Sequence, residues 1–221
     1  MERVLKTGTT VVGIKGKDFV VLATERQVTL GPMRFSQMRK LYKVYEDVWV
    51  GIAGNVADFQ QIARILEVQA KLFEIDRERK PSVKNIVTLL SHLLYSGRFS
   101  FFPYQAQILI GGKDEEGFHL YSMDPYGGTT EEKYTAWGSG VLYAMPVLDA
   151  SYRDDIKKEE AIKLAINAIS ASLKRDIYSG YDIDVVVIDK EGSRLLSKEE
   201  IENVIRSASS EGGREKTRKI H

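Results

Sequence analysis

In "KTGTTVVGI", Lys6 to Ile14, a threonine follows a glycine immediately before the first run of β-branched residues. If the bond between Gly8 and Thr9 is cut, Thr9 carries a hydroxyl nucleophile and a free α-amine on one residue. The reference pKa of such an amine, about 7.7–8.0, suits a general base at neutral pH. Gly8 has no Cβ to obstruct attack by the Thr9 hydroxyl on its carbonyl, and β-branching restricts the Thr9 side chain so that the hydroxyl can be held in aim. The same residues also suit a plain strand start, since threonine favours strands.

Other chemistries are poorly served. Zero cysteines exclude disulfides, thiolate zinc sites and a cysteine nucleophile. His92, His119 and His221 have no second ligand at metal-binding spacing, which points to structural or surface roles. Ser139 in "WGSG" lacks the G-x-S-x-G pattern of a nucleophile elbow, and neither a P-loop nor a G-x-G-x-x-G stretch occurs. The expected nucleophile is therefore an oxygen or an amine, with no metal and no organic cofactor.

The elements that would position Thr9 follow from periodicity. "TTVVGI" and "DFVVLATERQVTL", joined by the turn residues of "KGKD", predict paired strands; "KLYKVY" and "VWVGIAG" around Glu46 and Asp47 predict a second hairpin from about residue 40 to 52. The period then changes. Val56, Phe59, Ile62, Ala63, Leu66 and Ala70 share one helix face behind the capping residue Asn55, and Pro81-Ser82 starts a second helix with Ile86, Leu89, Leu90, Leu93 and Leu94. "AQILIGG", "GFHLYSMD" and "YTAWG" read as three further strands. Two helices are expected next, one marked by Ile162, Ala165, Ile166, Ile169 and Leu173, and then the strand "IDVVVID". Such segregated runs of strands and helices predict an α+β fold, a four-layer αββα sandwich of two antiparallel sheets with helices on both outer faces.

The 221 residues suit one domain with a substantial core. A hydrophobic share of 43% and a formal charge of +1 place the chain in the globular class, with no basic excess to suggest nucleic acid or an anionic membrane. No apolar run reaches the roughly 20 residues needed to span a bilayer, and the first eight residues are too short and polar for a secretory signal, so a cytoplasmic location is expected. The expected organisation is a leader over residues 1–8, a domain over 9–206 and a disordered Ser-, Gly- and charge-rich tail over 207–221.

"TGTTVVGIKGKDFVVLATER", "KLYKV", "VGIAGNVADFQ", "YSMDPYGG", "AWGSG" and "KRDIYSGYDIDVVVID" stand in the order and near the spacing of proteasome β subunits, especially archaeal ones. The resemblance runs from about Thr7 to Lys190. It implies the N-terminal-nucleophile hydrolase fold and a threonine endopeptidase. Thr9 matches the nucleophile, and cleavage between Gly8 and Thr9 would be autocatalytic. Glu25 falls where many members have aspartate. Lys40 matches the family lysine, although the stretch from Glu25 to Lys40 is one residue shorter than in close relatives, which leaves Arg39 as the neighbouring alternative. Gly54 matches the residue whose N–H receives the oxyanion, and Ser139, Asp176 and Ser179 resemble the polar set that orients the threonine amine. Thr29 lies where a substrate backbone pairs, through its own backbone, and Val28, Met38 and Ile52 would line an apolar pocket for the residue before the cut bond. The implied partners are proteasome α subunits and other β subunits in stacked heptameric rings, unfolded polypeptides as substrates, and a regulatory ATPase acting through the α ring. A non-catalytic β subunit of a mixed ring and a bacterial two-ring relative are the alternatives.

Overall fold

The computed structural model describes residues 8–30 and 33–207, without the side chains of residues 30, 34 and 35. The rest of the expected leader and tail, with His221, lies outside the described residues. Residue 207, assigned to that tail, is instead helical, in a run that begins at residue 198.

Two five-stranded antiparallel sheets form the centre. The first runs in the order β10 (Tyr134–Gly138), β1 (Thr10–Lys15), β2 (Val20–Glu25), β11 (Ile183–Asp189) and β12 (Gly192–Leu195). The second runs β5 (Leu41–Tyr45), β6 (Val48–Gly54), β7 (Ala106–Asp114), β8 (Gly117–Met123) and β9 (Thr129–Glu131). Strict alternation on the strands sorts their side chains into separate apolar layers. Val11, Leu22 and Val186 face Trp49, Ala53, Leu109 and Leu120 between the sheets. Val12, Ile14, Val21, Val185 and Val187 face the other way, onto α3 (Val141–Ser151) and α4 (Lys158–Arg175). Val48, Val50 and Ile52 do the same toward α1 (Val56–Arg77) and α2 (Val83–Gly97). Three apolar layers between four layers of structure make the αββα sandwich expected from the sequence.

Local signals set the helix starts. The Asn55 side chain accepts from Ala57 N at 2.9 Å, and Ser82 with Asn85 forms a reciprocal capping box before α2. Each fully buried Ile or Leu of α1 and α2, such as Ile62, Leu66 and Leu90, contributes about 1.5–3 kcal/mol by leaving water.

One expectation is corrected. "DFVVLATERQVTL" is not a continuous strand: β2 ends at Glu25, and after Arg26 the chain leaves the sheet to form a separate two-stranded ribbon, β3 (Gln27–Leu30) with β4 (Met33–Gln37). Arg26 anchors the break through a bidentate pair with buried Asp184, at 2.9 and 2.5 Å.

Candidate active site

Strand register gathers the site at one end of the first sheet. Thr10 lies opposite Gly138, Val11 opposite Thr24, and Ile183 opposite Glu25, so the chain before β1, the end of β2, the end of β10 and the segment before β11 converge. Thr9 is 2% exposed, and its Oγ1 donates to Gly8 O at 2.7 Å. Thr9 O in turn accepts from Ser139 N at 2.8 Å.

Against the backbone of Thr10 lies a buried ion pair. Lys40 Nζ donates to Glu25 Oε1 and to the backbone carbonyl of Gln27, both at 2.5 Å. Glu25 also accepts from Gln27 N at 2.6 Å, Gly180 N at 3.1 Å and Thr10 N at 3.4 Å. Burial pushes the Glu25 carboxyl above its ordinary range and the Lys40 ammonium below its own; at each group the partner's charge opposes that push, and Asp176 adds to the support of Lys40. The added methylene of a glutamate at position 25 therefore does not prevent pairing. Arg39 is half-exposed and turns to Asp184 at 3.7 Å, so of the two neighbouring cations it is Lys40 that meets Glu25.

A second polar group stands on the other side. Ser139 immediately precedes Gly140, the N-cap of α3, and Asp176 caps the C-terminus of α4. Asp176 Oδ2 accepts from Ser139 Oγ at 2.5 Å and Ser179 Oγ at 2.7 Å, and Ser179 Oγ lies 2.8 Å from Thr10 Oγ1. The three residues picked from sequence thus form one hydrogen-bonded unit touching both ends of the Thr9–Thr10 step. The role of Thr10, whose hydroxyl joins that unit, was missed, although its doubled threonine was visible. So was Gln27, which acts on Lys40 through its carbonyl and carries no side-chain signal for doing so.

Gly54 closes β6 at φ +145°, where a Cβ would stand 1.9 Å from Gln105 O; the position admits only glycine. Of the expected pocket residues, Ile52 is fully buried and, with half-buried Met38 packed on the same cluster, faces α1 and α2; Val28 is half-buried on β3. Thr29 contributes its hydroxyl, which accepts from Gly8 N at 3.4 Å. A hydroxyl held against the preceding carbonyl, a buried Lys40–Glu25 pair that reaches Thr10 N, and the Ser139–Asp176–Ser179 unit meeting Thr9 O and Thr10 Oγ1 can support acyl transfer to an oxygen nucleophile.

Comparison with known proteins agrees in extent. A family profile described as "Proteasome subunit" matches residues 5–188. The "Proteasome subunit beta" of Archaeoglobus fulgidus is 45% identical over 207 residues, 93% of this chain and 96% of its own length. That of Ferroglobus placidus is 46% identical over 200 residues, 90% and 94% of the two chains. The "Proteasome subunit beta 2" of Pyrobaculum aerophilum is 44% identical over 191 residues, 86% and 93% of the two chains.

Proposed function

This chain belongs to the proteasome subunit family, and from that premise we propose that it is a catalytic β subunit of the core particle, a threonine endopeptidase that frees its own nucleophile by cutting between Gly8 and Thr9. The observation that carries the proposal is the placing of Thr9 Oγ1 at 2.7 Å from Gly8 O, with the Glu25–Lys40 pair meeting the next residue at Thr10 N, and Ser139 and Ser179 of the Asp176 unit meeting Thr9 O and Thr10 Oγ1.

In the first reaction the Thr9 oxygen adds to the Gly8 carbonyl carbon. The Gly8–Thr9 C–N bond breaks, the hydroxyl proton ends on the Thr9 nitrogen, and an ester links Gly8 to the Thr9 side chain. Water hydrolyses the ester, releasing residues 1–8 with a carboxyl terminus and leaving Thr9 with free hydroxyl and amine. Peptide cleavage repeats this acyl chemistry with the amine as base. Lys40 favours the deprotonated forms of the Thr9 hydroxyl and amine through its positive charge, which Glu25 keeps in place. Ser139, Asp176 and Ser179 orient the amine, the Gly54 N–H receives the oxyanion, Thr29 pairs with substrate backbone, and Val28, Met38 and Ile52 form an apolar seat for the residue before the cut.

The working form is a ring assembly with α subunits and other β subunits, cutting unfolded polypeptides in the cytoplasm behind an ATPase on the α ring. Among the described residues no helix is long and apolar enough to cross a membrane. The buried, acylated Thr9 equally suits a structural β subunit that keeps its leader. Intact mass before and after mixing with α subunits separates the two: loss of residues 1–8 together with new peptidase activity supports the proposal, and a retained leader in an assembled particle refutes it.

A further inference from the structure

Gly8 sits where a side chain has no room. A Cβ at position 8 would stand 1.7 Å from Tyr178 Cβ, 2.6 Å from Tyr178 Cγ and 2.9 Å from Ser139 Oγ. The first of these is decisive, because no change of side-chain rotamer moves a Cβ; only the backbone could yield. That backbone is held on both sides: Tyr178 N donates to Asp176 Oδ1 at 3.1 Å, Ser179 N to Asp176 O at 3.2 Å, and Gly180 N to Glu25 Oε2 at 3.1 Å. Gly8 is held too, by Thr29 Oγ1 on its N–H and Thr9 Oγ1 on its carbonyl.

Resting on the activity proposed above, we propose that Tyr178 is the residue that restricts position 8 to glycine and so sets the specificity of leader cleavage. The three atoms that a side chain at position 8 would meet first belong to Tyr178 and Ser139, and none to Val28, Met38 or Ile52. The leader is thus selected by a wall at Tyr178, on a path distinct from the apolar seat assigned to peptide side chains.

The test combines Gly8→Ala with two changes at position 178. Tyr178→Ala keeps the offending Cβ, whereas Tyr178→Gly removes it. In a Thr9→Ala background, where nothing is cleaved, Gly8→Ala lowers Tm by about 2 °C or more with Tyr178 or Tyr178→Ala, and leaves it unchanged or raised with Tyr178→Gly, where only the reduced freedom of the unfolded chain remains. With Thr9 intact, Gly8→Ala slows loss of residues 1–8 at least about tenfold by intact mass, and Tyr178→Gly, compared with its own Gly8 parent, removes that penalty while Tyr178→Ala does not. An equal Tm loss in the Tyr178→Gly chain, or Gly8→Ala cleaving at the rate of the parent, overturns the proposal. A wild-type chain that keeps its leader sinks the peptidase activity alone, because the melting comparison needs no cleavage and decides the part of Tyr178 by itself.

Discussion

Replacing Lys40 by methionine removes one charge of a pair whose side chains are 2% and 0% exposed, while keeping most of the buried volume. Glu25 retains the N–H groups of Gln27 and Gly180 but loses its countercharge. Breaking such a pair costs about 3–5 kcal/mol, which for a chain of this length lowers Tm by roughly 6–20 °C near neutral pH. The carboxyl can escape by taking up a proton. Its pKa already stands above the ordinary 4.5 because of burial, and losing Lys40 removes the largest influence that lowers it. Between the ordinary and the raised value the folded state then binds the extra proton, so the stability of Lys40→Met falls as pH rises through that window and is flat above it. Glu25→Gln has the opposite sign. The Lys40 pKa lies below its ordinary 10.5, and without Glu25 its largest support is gone; the unfolded chain binds the proton first, and stability falls as pH drops from 10.5 to the lowered value. Thermal melts of the single subunit at about pH 5, 7 and 9 therefore give opposite slopes for the two variants, and the double variant recovers most of the loss. Parallel profiles, or a Lys40→Met chain as stable as wild type, would refute the buried-pair argument.

Thr9→Ala keeps residues 1–8 and has no peptidase activity in an assembled particle, read by intact mass and fluorogenic peptides; activity in that variant removes Thr9 as nucleophile. Arg39→Ala changes stability by less than about 0.5 kcal/mol, since it loses only a half-exposed contact, and its leader is lost at the wild-type rate. Gly54→Ala places a Cβ 1.9 Å from Gln105 O at a positive φ and costs more than about 3 kcal/mol, measured by denaturant titration. Ile52→Ala costs about 2–5 kcal/mol through the cavity beneath α1 and α2, and in the matured particle shifts cleavage toward larger aromatic residues before the cut, read on peptides ending in Leu, Tyr, Arg or Glu.

The layers were legible because each buried strand and helix carries its own period. The apolar stripe of α1, with Phe59, Ile62, Ala63, Leu66 and Ala70, is the stripe the structure buries. The ribbon of β3 and β4 was not legible: "LATERQVTL" is continuously strand-like, and the departure at Arg26 depends on Asp184, far away in sequence. The helix α3 left no stripe of its own to mark it, having only Ala144 and Leu148 buried and Pro146 inside it. At the site, Glu25, Lys40, Ser139, Asp176 and Ser179 were found through the order of short motifs, and the ambiguity between Arg39 and Lys40 could be resolved only by seeing which side chain points inward. Gln27, acting by its carbonyl, and Tyr178, acting by its Cβ, were beyond reach, because every residue type has a carbonyl and all but glycine have a Cβ.

The Asp176 unit has a built-in direction. A hydroxyl has a single proton, and Ser139 and Ser179 both spend theirs on Asp176 Oδ2. In the 2.8 Å contact between Ser179 and Thr10, Ser179 is therefore left as acceptor and Thr10 must donate. The protons form an arrow from Thr10 through Ser179 to the carboxylate, joined there by a second from Ser139. Ser179 keeps only lone pairs to offer, while the Ser139 proton, directed to Asp176 Oδ2 at 2.5 Å, has a second and longer acceptor in Thr9 O at 3.4 Å. The unit thus offers lone pairs to which an amine would donate, were one freed at Thr9. An amine held there by its hydrogens must turn its own lone pair away from Ser139 and Ser179, so the direction in which Thr9 could draw off a proton is fixed by two serine rotors that never touch the proton being moved.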